Sequence, residues 1–357
     1  SGEDTDDDND GVSDSNDQCP QTPLTSVVNS VGCVDADNDG IEDSDDLCPN
    51  GVSGWTSNAT LDYDSDGCLD STSFFKLLQA TNTQVDEGMS GIHHEVDQNN
   101  DVYFGGSFYR NVTIGGHNIT SVGDNDIVIG KYNRTNGILW TQTIGGSSSD
   151  SISNFIVDNN GSMYLVGSFS SQYLQIGSRN MSNLYQSCTN GHCNMADGFV
   201  AKYNASGVYQ WSKRVGTSGG GDRVSGLAFS PSQSKIYITG FFADSMNGCA
   251  SGCTGSTIQF EGSSMTGSWP ARTAAVARIS DSGTWDYRVK IQSQSGNSWP
   301  FSNKVEPRKI AVDSGDNVYV TGWFDGTMNA GSTNTITSLG GVDIFVCKFA
   351  NTTSNGN

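Results

Sequence analysis

Eight residues, Asn317 to Phe324 (NVYVTGWF), have three counterparts in this chain: DVYFGGSF at Asp101–Phe108, SMYLVGSF at Ser162–Phe169 and KIYITGFF at Lys235–Phe242. Each copy holds a Tyr, a Gly three residues later and an aromatic two further on. A second signature trails each one: DIVIGKYN from Asp126, DGFVAKYN from Asp197, TAAVARIS from Thr273 and DIFVCKFA from Asp343. Its starts lie 71, 76 and 70 residues apart, so the repeating unit is about 70 residues long. A unit of short alternating strands cannot bury its apolar face alone, and tandem copies must stack or close radially.

Each unit reads as four strands. An apolar strand ending in Asp comes first (Asp97, Asp158, Asp313), and a tight turn leads to the Tyr-x-x-Gly strand. A variable connection, the DxFVAK-type strand, a Gly-containing turn and a strand with an aromatic (Trp140, Trp211, Tyr287) complete the unit. The alternation is that of half-buried sheet, and 44 Gly among 357 residues suit turns better than long helices. The units, about 91–146, 151–217, 224–292 and 307–350, resemble the tandem propeller repeats of secreted and surface proteins of bacteria and archaea, with their YVTG-like and DxFVAK-like strands. The resemblance implies an all-β fold, a four-bladed β-propeller of four-stranded antiparallel blades over residues 71–357, and no particular activity. The fourth unit lacks its aromatic-bearing strand. Residues 73–79 (SFFKLLQ) read like WSKRVG at Trp211, so an N-terminal strand is expected to pair with Asp343–Phe349 and close the array, from this chain or a neighbouring one.

Charge sets the N-terminal segment, positions 1–70, apart from the rest. It holds 19 Asp or Glu and no Lys, Arg or His, leaving 20 acids against 18 bases in the remainder. Such a segment repels nucleic acid and anionic membrane and recruits cations. Asp6, Asp8, Asp10, Gly11, Asp14, Asp17, Cys19 and Pro20 set a frame that returns, with the same spacing, as Asp35, Asp37, Asp39, Gly40, Asp43, Asp46, Cys48 and Pro49. A shortened third copy is Asp62, Asp64, Asp66, Gly67 and Asp70, with Ser73 where a closing carboxylate would stand. Alternate carboxylates before a Gly turn suit a hard cation, here Ca2+. The backbone carbonyls of Val12, Ile41 and Cys68 are expected at the seventh position, and Asp17 and Asp46 at the twelfth. The absence of flanking amphipathic helices argues against an EF-hand. The segment resembles the thrombospondin type-3 repeat, which implies an irregular rod wrapped around calcium and stapled by short-range disulfides. Cys19–Cys33 and Cys48–Cys68 are the pairings that resemblance suggests, although the sequence permits others.

Four further cysteines, Cys188 with Cys193 and Cys249 with Cys253, lie in connections between second and third strands and suggest stapled loops, with zinc as the alternative. Cys347 is left over at a position held elsewhere by Gly130, Ala201 and Ala277, so a small buried thiol is expected. Eight N-glycosylation sequons (Asn58, Asn111, Asn118, Asn133, Asn160, Asn180, Asn204 and Asn351) combine with the paired cysteines to point to an extracellular or cell-surface location. The chain begins at Ser1, consistent with a processed form, and no run of 18 apolar residues spans a membrane. Of the four His, His94 with Glu95 replaces apolar residues of a first strand. No nucleophile, zinc-protease, phosphate-loop or dinucleotide motif stands in a matching context, so no enzyme is expected. The connections on one face of the array also hold Tyr185, Trp269, Trp299 and Phe301, stiffened by Pro270 and Pro300, as candidate contacts for a partner. Together these features suggest a structural or adhesive subunit of a surface or filamentous assembly, contacting copies of itself or other surface proteins; the alternative is a glycan-binding propeller on a calcium-stiffened stalk.

Overall fold

The computed structural model describes residues 5–58, 61–62, 67–69, 88–114, 117–133, 136–184, 192–219, 221–242, 257–266, 273–294, 305–331 and 335–351. Contacts divide the chain into two compact units, Ser1–Gln79 and Ala80–Asn357. The described part of the first is turns and bends with one isolated bridge, Val28 to Val34. The second is all-β, with antiparallel sheets and no helix among the described residues.

Its strands follow the sequence repeat. The first meander is β1 (Gly88–Val96), β2 (Val102–Ile114), β3 (His117–Asn133) and β4 (Gly137–Ile144), paired in that order. The second comprises β5 (Asp150–Val157) and β6 (Met163–Ser171), a hairpin of β7 (Tyr173–Ile176) and β8 (Arg179–Ser182), then β9 (His192–Tyr203) and β10 (Tyr209–Gly216). The third has β11 (Arg223–Phe229), β12 (Lys235–Phe242), the hairpin β13 (Thr257–Phe260) and β14 (Ser263–Thr266), β15 (Thr273–Ser280) and β16 (Trp285–Gln294). The fourth has β17 (Val305–Val312), β18 (Val318–Ala330) and β19 (Thr335–Phe349).

The repeated Gly has a steric cause in three of its four copies. In every meander the pairing of first and second strands slips once: at Ser90/His93, Ile152/Asn154, Val224/Gly226 and Pro307/Lys309. This bulge presses a first-strand carbonyl onto the second strand. A Cβ on Gly167 would stand 2.1 Å from the Ser151 carbonyl oxygen, on Gly240 2.3 Å from that of Arg223, and on Gly322 2.2 Å from that of Glu306. No side chain fits at these three; at Gly106 of the first meander the Ser90 carbonyl oxygen is 3.5 Å from such a Cβ and the position is less crowded. The Asp ending the first strand also has a local task. Asp97 Oδ1 accepts from the backbone N–H of Asn99 and Asp101, Asp158 Oδ1 from Asn160 and Ser162, and Asp313 Oδ1 from Gly315 and Asn317, so each builds the turn into the next strand.

The Tyr and Trp of the repeat look forward to the next meander. Tyr103 donates to the Gly161 carbonyl at 2.9 Å, and Trp140 Nε1 to that of Ala205 at 3.0 Å. One meander on, Tyr164 donates to Asp281 and Trp211 Nε1 to the Asp281 carbonyl. A cation lies over each Tyr ring: Lys131 on Tyr103, Lys202 on Tyr164, Arg278 on Tyr237 and Lys348 on Tyr319. The cores are correspondingly shared between neighbours: Tyr103, Ile127 and Ile129 with Ile152 and Phe155, and Tyr164, Val166 and Val200 with Val224, Leu227 and Ile236.

The expected staples in the connections between second and third strands fall on cysteines whose side chains lie outside the described residues, but the connections show a second feature. Their described parts are hairpins reaching back to the preceding meander: Gln175 of β7 bridges Gly145, β13 pairs with β10, and the end of β18 pairs with β16. The second to fourth meanders are therefore joined into six- and seven-stranded sheets and are not separate four-stranded ones. Leu174, Ile176 and Met181 of the first hairpin are buried against Ile127, Ile129 and Ile144. At the fourth meander the corresponding face is bare. Ile344 and Val346, which match Ile127 and Ile129 in register, are 83% and 69% exposed. Residues 73–79, the expected partner of β19, lie outside the described residues.

Two buried carboxyls make stability depend on pH. Burial pushes Asp150 and Asp197 up to about 7, outweighing the hydrogen bonds that Ser171 and Leu184 donate to them. The folded chain keeps these protons after the unfolded chain has lost them, so this stability is full below about pH 4 and falls as pH rises towards 7. Urea midpoints followed by Trp fluorescence are expected to decrease over that interval for this reason. D150N and D197N should flatten the decrease; an unchanged slope in both variants would refute the assignment.

Candidate metal centre

The acidic unit folds as two loops of matching conformation, one over residues 6–17 and the other over residues 35–46. Asn9 and Asn38 (φ 60° in both) and Gly11 and Gly40 (φ 97° and 96°) take left-handed conformations that curl each loop around its carboxylates. The hydrogen bonds repeat with the same offset. Gly11 N–H donates to Asp6 Oδ2 and Gly40 N–H to Asp35 Oδ2; Val12 donates to Asp10 Oδ1 and Ile41 to Asp39 Oδ1. Cys19 donates to Asp17 Oδ1 and Cys48 to Asp46 Oδ1, while Thr22 and Gly51 donate to Asp8 and Asp37 Oδ2. One oxygen of Asp14 is held by the Asp7 N–H, and one of Asp43 by the Ala36 N–H, fastening the start of each loop to its end.

These bonds leave specific oxygens unused. Asp6, Asp8 and Asp10 each present an oxygen within 4.8 Å of the others, as do Asp35, Asp37 and Asp39. Asp6 Oδ1 and Asp10 Oδ2 are buried without a hydrogen-bond partner in the first loop, and Asp37 Oδ1, Asp39 Oδ2 and Asp46 Oδ2 in the second. Burial raises the Asp39 and Asp46 carboxyls, and the neighbouring carboxylates, Asp37 foremost, push the same way. Converging, desolvated carboxylates without a cation are costly, because each buried charge needs an opposite one. A divalent ion coordinated only by oxygen would relieve this, and the donor set suits a hard cation such as calcium, not a soft metal. The residues present fit the ion.

Sequence reading missed that a glycine from outside each loop packs against its twelfth-position carboxylate. Gly32 (φ 84°) lies against Asp17 and Asp10: a Cβ there would be 2.1 Å from Asp17 Oδ1. Gly67 (φ 76°) does the same to Asp46, at 2.0 Å. Each precedes the second cysteine of a disulfide, Cys19–Cys33 and Cys48–Cys68, so the staple closes the loop over its twelfth-position carboxylate. The Gly-Cys pairs at 32–33 and 67–68 were the available signal. A third grouping, Cys19, Cys33 and Glu42, offers no thiolate because both sulfurs are in the disulfide.

In the third copy, Asp62 is buried and accepts from Ser57 Oγ and Gly67 N–H; Asp64, Asp66 and Asp70 lie outside the described residues. So do Cys188, Cys249, Cys253, Tyr185, Trp269, Trp299 and Phe301, and the side chain of Cys193. Cys347 is half-buried, not fully buried, and burial pushes its thiol up to about 11, so it is a poor nucleophile. His94 and Glu95 are exposed on β1, and His93 is lowered by burial and by the nearby Lys309 of β17. Among the sequons, Asn58, Asn111, Asn118, Asn160, Asn180 and Asn351 are exposed. Asn204 accepts backbone bonds in a turn, and Asn133 donates its Nδ2 to Asp101. No helix among the described residues is long and apolar enough to cross a membrane.

The chain matches no family model. Over 200 residues it is 25% identical to an uncharacterized WD repeat-containing protein of Acanthamoeba polyphaga mimivirus. The match takes in 50% of this chain and 14% of that protein, so the chain spans a small part of its relative's length.

Proposed function

We propose that the chain is an extracellular, calcium-binding structural module: a calcium-bound acidic rod joined to a glycosylated four-bladed β-propeller that serves an assembly at the cell surface and has no catalytic role. The observation that carries the calcium reading is the set of orphaned, buried carboxylate oxygens in two loops of the same hydrogen-bonding pattern. The propeller reading is supported by meanders that hand Tyr and Trp hydrogen bonds from one to the next, and by the WD-repeat description of the relative. In this reading residues 73–79 supply the fourth strand of the last blade. An oxidising compartment is supported by two disulfides in so small an acidic unit. Ile344 and Val346 of β19, exposed in this structure, are the surface that the first blade covers if the ring closes within the chain and that a second copy covers if it closes between chains, which is where the assembly role enters this reading.

Calorimetric titration of the calcium-free chain with Ca2+ is expected to show at least two oxygen-ligated sites. D39N should remove one site and D10N the other. No heat beyond dilution, or full binding retained in the double variant, would overturn the calcium reading.

A further inference from the structure

On β2 and β3, two sequons face each other across one ladder. Asn111 is paired with Thr120, and Thr113 with Asn118. Asn111 and Thr113 alternate with Val112 and Ile114, which are buried, and Thr120 and Asn118 pair with them across the ladder, so both sequons occupy the outer face and both Asn are exposed. A bulge at Arg110, with φ 60°, shifts the phase of the strand just before Asn111 and puts Asn111 and Thr113 on that face. Each hydroxyl serves the other sequon. Thr120 Oγ1 donates to Asn111 Oδ1 at 2.6 Å, and Thr113 Oγ1 to Asn118 Oδ1 at 2.6 Å.

We propose that Asn111 and Asn118 form a twin glycan-acceptor site, modified on both residues before this hairpin closes, so that two sugars stand side by side on its outer face. The inference rests on the extracellular glycoprotein reading above. Glycan transfer joins the Asn Nδ2 to the anomeric carbon of a lipid-pyrophosphate-linked sugar. The C–N bond forms, the C–O bond to the pyrophosphate breaks, and the amide proton leaves to a base of the transferase. The amide oxygen is untouched, so both Thr-to-Asn hydrogen bonds survive modification and hold each glycosyl amide with its nitrogen towards solvent. Diagonal neighbours on a ladder are about 7–8 Å apart, which seats two sugar stems without overlap. A transferase reads Asn and hydroxyl of one sequon together. In the closed hairpin they are about 7 Å apart along an extended strand, and each hydroxyl is bonded across the ladder. Transfer therefore precedes pairing.

Trypsin releases both acceptors on one peptide, 111–131, and Asn204 on another, 203–213. For the full chain secreted by a eukaryotic host, the intact mass of peptide 111–131 should show two glycans on the same molecule. One glycan, or none, overturns the twin site. If peptide 203–213 and the other sequons are glycosylated while 111–131 is bare, only this inference fails; if every sequon is bare, the glycoprotein reading fails with it. In a second arm, an oligosaccharyltransferase with lipid-linked oligosaccharide should modify synthetic peptide 111–131 but not the folded, unglycosylated chain at these positions. Equal modification of both would overturn the order of events.

Discussion

Gly167→Ala is expected to lower the thermal midpoint by about 10 °C or to prevent folding, at a cost of about 4 kcal/mol. The added methyl group would stand 2.1 Å from the Ser151 carbonyl oxygen and 2.7 Å from the Phe199 ring. Neither yields cheaply. The carbonyl belongs to the bulged first strand, and Phe199 is fully buried where the first and second meanders meet. Gly240→Ala, 2.3 Å from the Arg223 carbonyl, should behave alike, whereas Gly221→Ala, with nothing within 4 Å, should leave the midpoint unchanged. Calorimetric scans of the three variants decide it. Equal midpoints would mean that the bulge relaxes freely and that the repeated Gly has some other cause.

Chelation is expected to abolish amide-exchange protection through residues 5–58 while the strands from β1 onward keep theirs. If the loops bind calcium as proposed, removing it leaves the clustered carboxylates to repel one another against two disulfides, one isolated bridge and the loop hydrogen bonds. Circular dichroism is a poor monitor here, because the described residues of this unit hold no helix or extended strand to lose. Amide exchange followed by mass spectrometry reports each segment separately. Undiminished protection in excess chelator would contradict a metal-dependent unit. Loss of protection in both units would show that the meanders depend on it too.

Local signals were legible where their cause is local. The Asx turns at Asp97, Asp158 and Asp313 and the strands around Tyr103, Tyr164, Tyr237 and Tyr319 depend on near neighbours in the chain, and the residues announce them. The carboxylate loops are similar: alternate Asp, then Gly, curls the backbone into one shape in both copies. The roles of Gly32 and Gly67 were not legible, since each makes room for a carboxylate that belongs to an earlier, separate turn of the chain, Asp17 and Asp46 respectively.

By itself the sequence determined a repeated all-β unit, its strand order within the unit, and the two acidic loops. The reason is that alternation, turn residues and ligand spacing act over a few neighbouring positions. Only the tertiary structure decided what each unit does to its neighbour: the bulge behind every Tyr-x-x-Gly, the forward bonds of Tyr103 and Trp140, and the hairpins that reach back to the preceding sheet. It also decided that Asp150 and Asp197 are buried enough to keep their protons near neutral pH. Those outcomes depend on which surfaces meet between strands, and between whole repeats, that lie far apart along the chain. A carbonyl or a carboxylate carries no mark in the sequence of what will be pressed against it.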